Sequence, residues 1–159
     1  MNPEKLTVKA QEALQTAQSL AMQQGNPEIT PEHLLLALVT QDEGIVPPIL
    51  QALGVSPATV AARVKTALER LPRAAGATQP PYLSRVLSLA LDAAEAEARR
   101  MGDEYTSTEH MLLGIARQTR CEAARILASL GATEEALLKA MANVRGAHRV
   151  TDQNPEDKY

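Results

Sequence analysis

Apolar residues recur along this chain at the three- and four-residue spacing of amphipathic helices. The first stretch shows the pattern clearly, with a stripe formed by Leu6, Ala10, Ala13, Leu14, Ala17 and Ala21. Together with helix caps and stops, such stripes predict eight helices: about Pro3–Gln24, Pro31–Gln41, Val46–Leu53, Pro57–Leu71, Tyr82–Met101, Thr108–Gln118, Glu122–Leu130 and Glu134–Val144. No segment alternates like a strand, so no sheet is expected.

The pattern repeats once along the chain. The segment TPEHLLLAL, from Thr30, recurs as STEHMLLGI from Ser107, an offset of 77 residues. The same offset aligns apolar and glycine positions without a gap from Leu6 to Leu68. The sequence therefore predicts two pseudo-symmetric four-helix copies, about residues 3–71 and 82–145, forming one compact all-α domain at 1–145.

Two segments lack helical periodicity. Residues 72–81 are rich in proline, glycine and small side chains, which predicts a loop linking the copies. Residues 146–159 contain few large apolar side chains, so we expect a flexible linker there.

Composition and charge narrow the function. Aromatic residues make up only 2% of the chain, so the core must consist of Ala, Leu, Ile, Val and Met. The same scarcity and a net charge of −3 argue against nucleic-acid binding. No apolar run approaches the length of about 20 residues that spans a membrane. No secretory signal is visible, and the single cysteine, Cys121, interpreted as a small helix residue, is typical of a reducing cytoplasm.

The duplicated motifs are similar to those of a known family. TPEHLLLAL, STEHMLLGI, the opening Leu6-Thr7 and the helix ends LGV and LGA resemble the paired N-terminal repeats of the Clp ATPases. The tail RVTDQNPEDKY resembles the connector to the first ATPase module in ClpB-type members. The resemblance implies a substrate-binding domain of a protein disaggregase, which captures unfolded or aggregated proteins and passes them to a hexameric ATPase ring. The alternative is a ClpC-type domain that docks adaptors or recognises phosphoarginine.

The partners and cofactors follow from that resemblance. The expected partners are unfolded or aggregated client proteins and the ATPase ring, with no nucleic acid and no membrane. The chain contains neither a phosphate-binding loop of the form Gly-x-x-x-x-Gly-Lys-Ser/Thr nor a recognisable catalytic motif. We therefore expect a monomeric, cytoplasmic binding module rather than an enzyme, with ATP and Mg²⁺ implied only for ATPase modules outside this chain.

The resemblance points to Thr7, Asp103 and Glu109 as residues of substrate handling or coupling, with Ser84 and Glu32 as repeat equivalents of Thr7 and Glu109. In ClpC-type domains the paired hydroxyl and carboxylate positions are associated with phosphoarginine recognition. Each residue also has a structural interpretation. Thr7 lies near a helix start, Asp103 lies in a turn, and an acid in the first helical turn, such as Glu109, is favoured by about 0.3–1 kcal/mol.

Two further features have competing interpretations. His33 and His110 each follow a glutamate, but duplication explains both pairs and no third ligand is spaced for a metal, so no metal site is expected. The fifth predicted helix is apolar on more than one face, which typically means burial, whereas the alternative is a groove for client segments at the seam between the copies. Its apolar residues are Leu83, Val86, Leu87, Leu89, Ala90, Leu91 and Ala93.

Overall fold

The structure is a computed structural model that describes residues 2–74, 79–146 and 148–158. Within these ranges it contains eight α-helices, which confirms the all-α class, and none of them is long and apolar enough to cross a bilayer. The helices are α1 (Val8–Gln23), α2 (Pro31–Thr40), α3 (Val46–Ala52), α4 (Pro57–Glu69), α5 (Arg85–Arg100), α6 (Thr108–Ala116), α7 (Glu122–Ser129) and α8 (Glu134–Arg145).

Side-chain caps set where the helices begin. Thr30 accepts the backbone N–H of His33, and the His33 ring accepts the N–H of Thr30, so the two residues form a capping box at the start of α2. The first helix begins later than predicted, because Thr7 caps it and Pro3–Lys5 form a separate 3₁₀ helix. A second 3₁₀ helix lies at Pro155–Lys158.

The two copies are packed into each other. Helices α2 and α6 lie at the centre, and nearly every residue of both is buried. Around them, α3 of the first copy packs against α8 of the second, and α4 packs against α7. Because these helices bury their apolar faces against the other copy, the two copies share one continuous hydrophobic core.

The expectation of no sheet was wrong. Two short parallel strands, β1 (Glu28–Ile29) and β2 (Tyr82–Leu83), join the copies. An equivalent bridge pairs Leu6 with Thr106. Two-residue strands are too short to show an alternating pattern, and their partners are far apart in sequence. The strand also moves the start of α5 from the predicted Tyr82 to Arg85.

The linker between the copies and the tail after α8 differ in structure. Residues 72–74 and 79–81 of the predicted linker are irregular, and its residues 75–78 lie outside the described ranges. The tail differs from the flexible segment expected there, because part of it folds back on the domain. Val150 is fully buried, its carbonyl accepts the N–H of Glu104 at 2.8 Å, and Val8 donates to the Gln153 carbonyl at 2.9 Å. Burial of Val150 and these backbone hydrogen bonds hold the segment.

One glycine allows a close approach of two helices. A Cβ on Gly114 of α6 would overlap the backbone carbonyl of Ala90 in α5. The equivalent position of the first copy is Ala37, which is buried with its methyl group in place. The second copy is therefore packed more tightly than the first along this pair of helices.

Candidate functional site

Thr7 and Ser84, the predicted hydroxyl positions, begin the first helix of each copy. Thr7 Oγ1 accepts the N–H of Ala10 at 3.2 Å, and Ser84 Oγ accepts the N–H of Leu87 at 3.0 Å. Both side chains are buried. Each hydroxyl satisfies a backbone donor that the helix itself leaves unpaired, so its position is fixed by α1 or α5.

Glu32 reaches across the seam to the second copy. Its Oε2 accepts the N–H of Ala123, in the first turn of α7, at 2.9 Å. Burial raises the pKa of Glu32, although the hydrogen bond from Ala123 acts in the opposite direction. Since a carboxylate at a helix N-terminus stabilises the helix, Glu32 fixes where α7 begins relative to α2.

Glu109 is fully buried but makes different contacts from its repeat equivalent. In the first copy, the helix equivalent to α7 is α3, which begins Val46-Pro47-Pro48. Because the two prolines have no backbone N–H, α3 cannot donate to Glu109 in the way that Ala123 donates to Glu32. Glu109 Oε1 instead accepts the hydroxyl of Ser107, and Oε2 lies 3.6 Å from Arg145 Nε. Within the described ranges Oε2 has no hydrogen bond, so the ion pair with Arg145 is its main contact.

Asp103 is the centre of a buried polar cluster. Its Oδ2 lies 2.7 Å from His110 Nε2, and its Oδ1 accepts Arg145 Nη2 at 2.7 Å and the Val150 N–H at 2.9 Å. Burial alone would raise the pKa of Asp103, but hydrogen bonds from these three residues outweigh it and hold the pKa well below its usual value. The ionised carboxylate therefore ties α6, α8 and the tail together.

The first copy carries an uncharged version of this cluster. Asn26 occupies the position equivalent to Asp103, and its Oδ1 lies 2.9 Å from His33 Nε2. The backbone N–H of Thr30 donates to His33 Nδ1, so Nε2 holds the ring proton and donates to Asn26. Burial lowers the pKa of His33 to about 4. Asn26 also donates to the Pro72 carbonyl at 2.9 Å, which fixes the start of the linker.

Three side chains of the second copy leave apolar surface open to solvent. Leu83 is 45% exposed, Val86 37% and Leu89 46%, although burial was the expectation for all three. They follow one another at three-residue spacing, so they lie along one side of β2 and α5. The other side of α5 carries Leu87, Ala90, Leu91 and Ala94, which form the core face. The periodicity identified a broad apolar face correctly but could not divide it between core and surface.

A groove of about 350 Å³ lies beside these residues, lined by Val86, Leu89 and the loop of residues 117–121. Arg117 at the start of this loop is held by ion pairs with Glu97 and Glu134, the latter at 2.7 Å. The hydrogen bond between Glu32 and α7 fixes the other end of the loop. The groove wall is therefore supported on both sides.

The histidine and cysteine side chains serve the fold in this structure. His33 and His110 are the third residues of α2 and α6 and complete capping boxes. Cys121 lies just before α7 rather than inside it, where its Sγ accepts the Ala124 N–H at 3.5 Å, and burial raises the pKa of the thiol. Across the part of the chain that the structure covers, no three potential metal ligands cluster.

This duplicated arrangement matches a known domain family. The sequence matches the Clp repeat (R) N-terminal domain over residues 5–130. The chain belongs to that family.

Similar proteins show where Clp repeat domains of this kind occur. Chaperone protein ClpB of Mycobacterium tuberculosis is 46% identical over 153 residues, which cover 96% of this chain and 18% of that protein. The chain thus spans less than a fifth of the length of that relative. The Hsp104 N-terminal domain of Candida albicans has a TM-score of 0.83 at 20% identity, covering 96% of this chain and 99% of that domain. A ClpV N-domain solved in complex with a VipB peptide has a TM-score of 0.70 at 21% identity, covering 89% of this chain and 87% of that one. These findings confirm the resemblance to ClpB-type N-terminal domains.

The Clp repeat fold separates the five predicted site residues into two groups. Thr7 bonds through its N–H to the carbonyl just before α6, next to the cluster of Asp103 and Glu109. Ser84 bonds in the same way to the carbonyl of Ile29, in the segment that leads to Glu32. All five side chains are 7% exposed or less, so they support the fold at the junction of the copies. Their role in substrate handling or coupling stays a prediction.

Sequence reasoning missed two members of these groups. Asn26 was available from the offset of 77, which aligns it with Asp103. Arg145, at the end of α8, gave no such signal. Arginines are common in the last turn of a helix, where they are usually exposed and are favoured by the helix dipole, so its position did not indicate burial. Only the fold brings it, 6% exposed, between Asp103 and Glu109.

Proposed function

We propose that this chain is the client-binding N-terminal domain of a ClpB-type disaggregase. It binds apolar segments of unfolded or aggregated proteins along Leu83, Val86 and Leu89, and passes them to a hexameric ATPase ring. The observation that carries this proposal is the exposed apolar strip on β2 and α5, beside a groove whose wall is held by Arg117 and α7. A solvent-exposed row of large apolar residues next to a groove is typical of a protein-binding surface.

The size of the strip favours weak and reversible binding. Fully burying a Val or Leu side chain contributes about 1.5–3 kcal/mol. Because the three side chains are less than half exposed, covering them would contribute roughly 1 kcal/mol each. Such an affinity is suited to a domain that must release its client to a motor, since the client has to leave the groove again.

Two further observations support this function over recognition of phosphoarginine. Glu32 accepts a backbone N–H of α7 and Glu109 is fully buried, so neither carboxylate is open to a ligand guanidinium. The ClpV N-domain, which shares the fold, has been solved with a peptide bound. We further propose that the ring lies in a longer protein, binds ATP and Mg²⁺, and works in the cytoplasm.

Binding of an unfolded client to variants of the strip tests the proposal. We expect a reduced, permanently unfolded apolar protein to shift the NMR amide signals of residues 83–89 and 117–121 saturably. The variant Val86→Ser/Leu89→Ser should weaken this binding by roughly tenfold. Met22, 56% exposed on α1, provides the matched control, and Met22→Ser should bind like the wild type.

Two outcomes would contradict the proposal. Equal weakening by the strip variant and by Met22→Ser would mean that clients bind without a defined site. Saturable binding of a phosphoarginine peptide near Glu32, without binding of the unfolded client, would support the ClpC-type alternative.

A further inference from the structure

A groove lined by several arginines lies on the seam between α4 and α7, outside the apolar strip. It measures about 380 Å³, and the charged side chains that line it, all exposed, are Arg63, Arg70, Arg125 and Glu122. Its floor includes Ala67 and Ile126, which are almost fully buried. Three guanidinium groups against one carboxylate leave this groove with an excess of positive charge, although the chain as a whole has a net charge of −3.

These arginines make few contacts within the domain. Arg63 donates only to the Ser129 hydroxyl, at 3.1 Å, and neither Arg63 nor Arg70 has an ion pair within the described ranges. Arg125 lies 3.8 Å from Glu122, an exposed pair that contributes little to stability. Their guanidinium groups are therefore available to a ligand.

The duplication provides an internal comparison, because the seam between α3 and α8 is the repeat equivalent of this one. There the position of Arg63 is held by Ala140 and the position of Arg125 by Pro48. That seam packs without either arginine, and Glu43 and Glu156 line its groove instead. Packing of the seam therefore does not require the arginines, and their presence on one seam alone needs another explanation.

We propose that the α4–α7 groove binds an extended acidic segment of a partner protein. Arg63 and Arg70 are two helical turns apart, about 10 Å along the axis. Residues three apart in an extended segment of polyproline II conformation lie on the same side of that segment and are separated by about 9 Å. The geometry thus fits two carboxylates at positions i and i+3 of such a segment, one facing Arg63 and the other Arg70. The groove shares no lining residue with the groove beside the apolar strip, so this proposal can be tested independently of client binding at the strip.

Fluorescence anisotropy with labelled peptides tests this inference. The probe is a proline-rich peptide with aspartates three residues apart, and the control peptide carries asparagines in place of the aspartates. We expect saturable binding of the acidic peptide only, weakened roughly tenfold in Arg63→Gln/Arg70→Gln and reduced by added salt. Lys65→Gln is the matched control, because it removes a positive charge from an exposed position of α4 that does not line the groove.

Several results would overturn the proposal. If the acidic peptide does not bind, or if Lys65→Gln weakens its binding as much as Arg63→Gln alone does, no defined site exists. Tighter binding of an RNA oligonucleotide or a phosphopeptide than of the acidic peptide would assign the groove to phosphate instead. Circular dichroism of each variant excludes misfolding, which is not expected because the arginines make few internal contacts, and the strip variant Val86→Ser/Leu89→Ser should bind the acidic peptide normally.

Discussion

Replacing Asp103 by asparagine changes one atom type at the centre of the buried polar cluster. Three donors face this carboxylate, His110 on one oxygen and Arg145 and Val150 on the other. An asparagine offers a single acceptor oxygen, so its NH₂ group must face a donor in either orientation of the amide. Asn26 avoids the same conflict because it receives one donor and directs its NH₂ to a carbonyl.

The expected cost of Asp103→Asn is about 3 kcal/mol, between the 1.5–3 kcal/mol of a charge-assisted hydrogen bond and the 3–5 kcal/mol of a broken buried ion pair. Arg145 keeps Glu109 at 3.6 Å, which limits the loss. For a domain of this size that corresponds to a fall in Tm of roughly 6–12 °C. Urea unfolding followed by circular dichroism at pH 7 measures the free energy directly.

Loss of the Asp103 contacts should also have a local effect on the tail, which distinguishes it from a general loss of stability. The amide of Val150 should exchange its hydrogen faster in Asp103→Asn than amides of α2 do, because the tail loses its acceptor. Asp92→Asn, the same substitution at an exposed position of α5, should leave both measurements unchanged. A change below about 0.5 kcal/mol in Asp103→Asn, with normal exchange at Val150, would refute the argument.

Three further substitutions or conditions test other contacts. Gly114→Ala should cost about 2 kcal/mol or more in urea unfolding, because the added methyl overlaps the Ala90 carbonyl. Stability should fall as the pH drops from 6.5 to about 4, by up to about 3 kcal/mol, because His33 takes up a proton in the unfolded chain before it does so in the folded one. Glu32→Ala should cost about 1 kcal/mol and speed hydrogen exchange at the Ala123 amide, because α7 loses its acceptor.

Each of these predictions has an internal control. Ala37→Gly, at the position equivalent to Gly114, should cost about 1 kcal/mol through helix propensity and a lost methyl contact. His33→Gln keeps an acceptor at the third helical position, so it should retain the cap and lose the dependence on pH between 6.5 and 4. If Glu122→Ala, an exposed acid in the same helical turn, has the effect of Glu32→Ala, the contact across the seam is not responsible.

The helices could be predicted from sequence because their signals are local. Caps such as Thr30 and stops such as Gly25 act within one turn, and the apolar stripes need no knowledge of the partner helix. The strands and the tail could not be predicted in the same way, because Ile29 pairs with Leu83 and Val150 with Glu104, and only the assembled fold brings those backbones together.

The candidate site shows the same division. The resemblance located Asp103 and Glu109, but not Arg145, which joins them through tertiary packing. The period of α5 identified Leu89 as apolar without showing that no other helix covers it, since a stripe has the same spacing whether or not a neighbour packs on it. Exposure depends on which helix lies opposite, and that is a property of the whole fold.

The backbone pairs that join the copies, Leu6 with Thr106 and Ile29 with Leu83, affect how the chain can fold during synthesis. The first copy leaves the ribosome complete in sequence, but its seam helices and its paired segments find their partners only in the second copy. Contacts within the first copy, such as those of α2 with α1 and α4, can form as soon as that copy is synthesised, but the contacts across the seam cannot. We therefore expect a nascent chain that ends in the linker to expose the apolar faces that the second copy covers in the assembled domain, and such exposed apolar surface promotes aggregation.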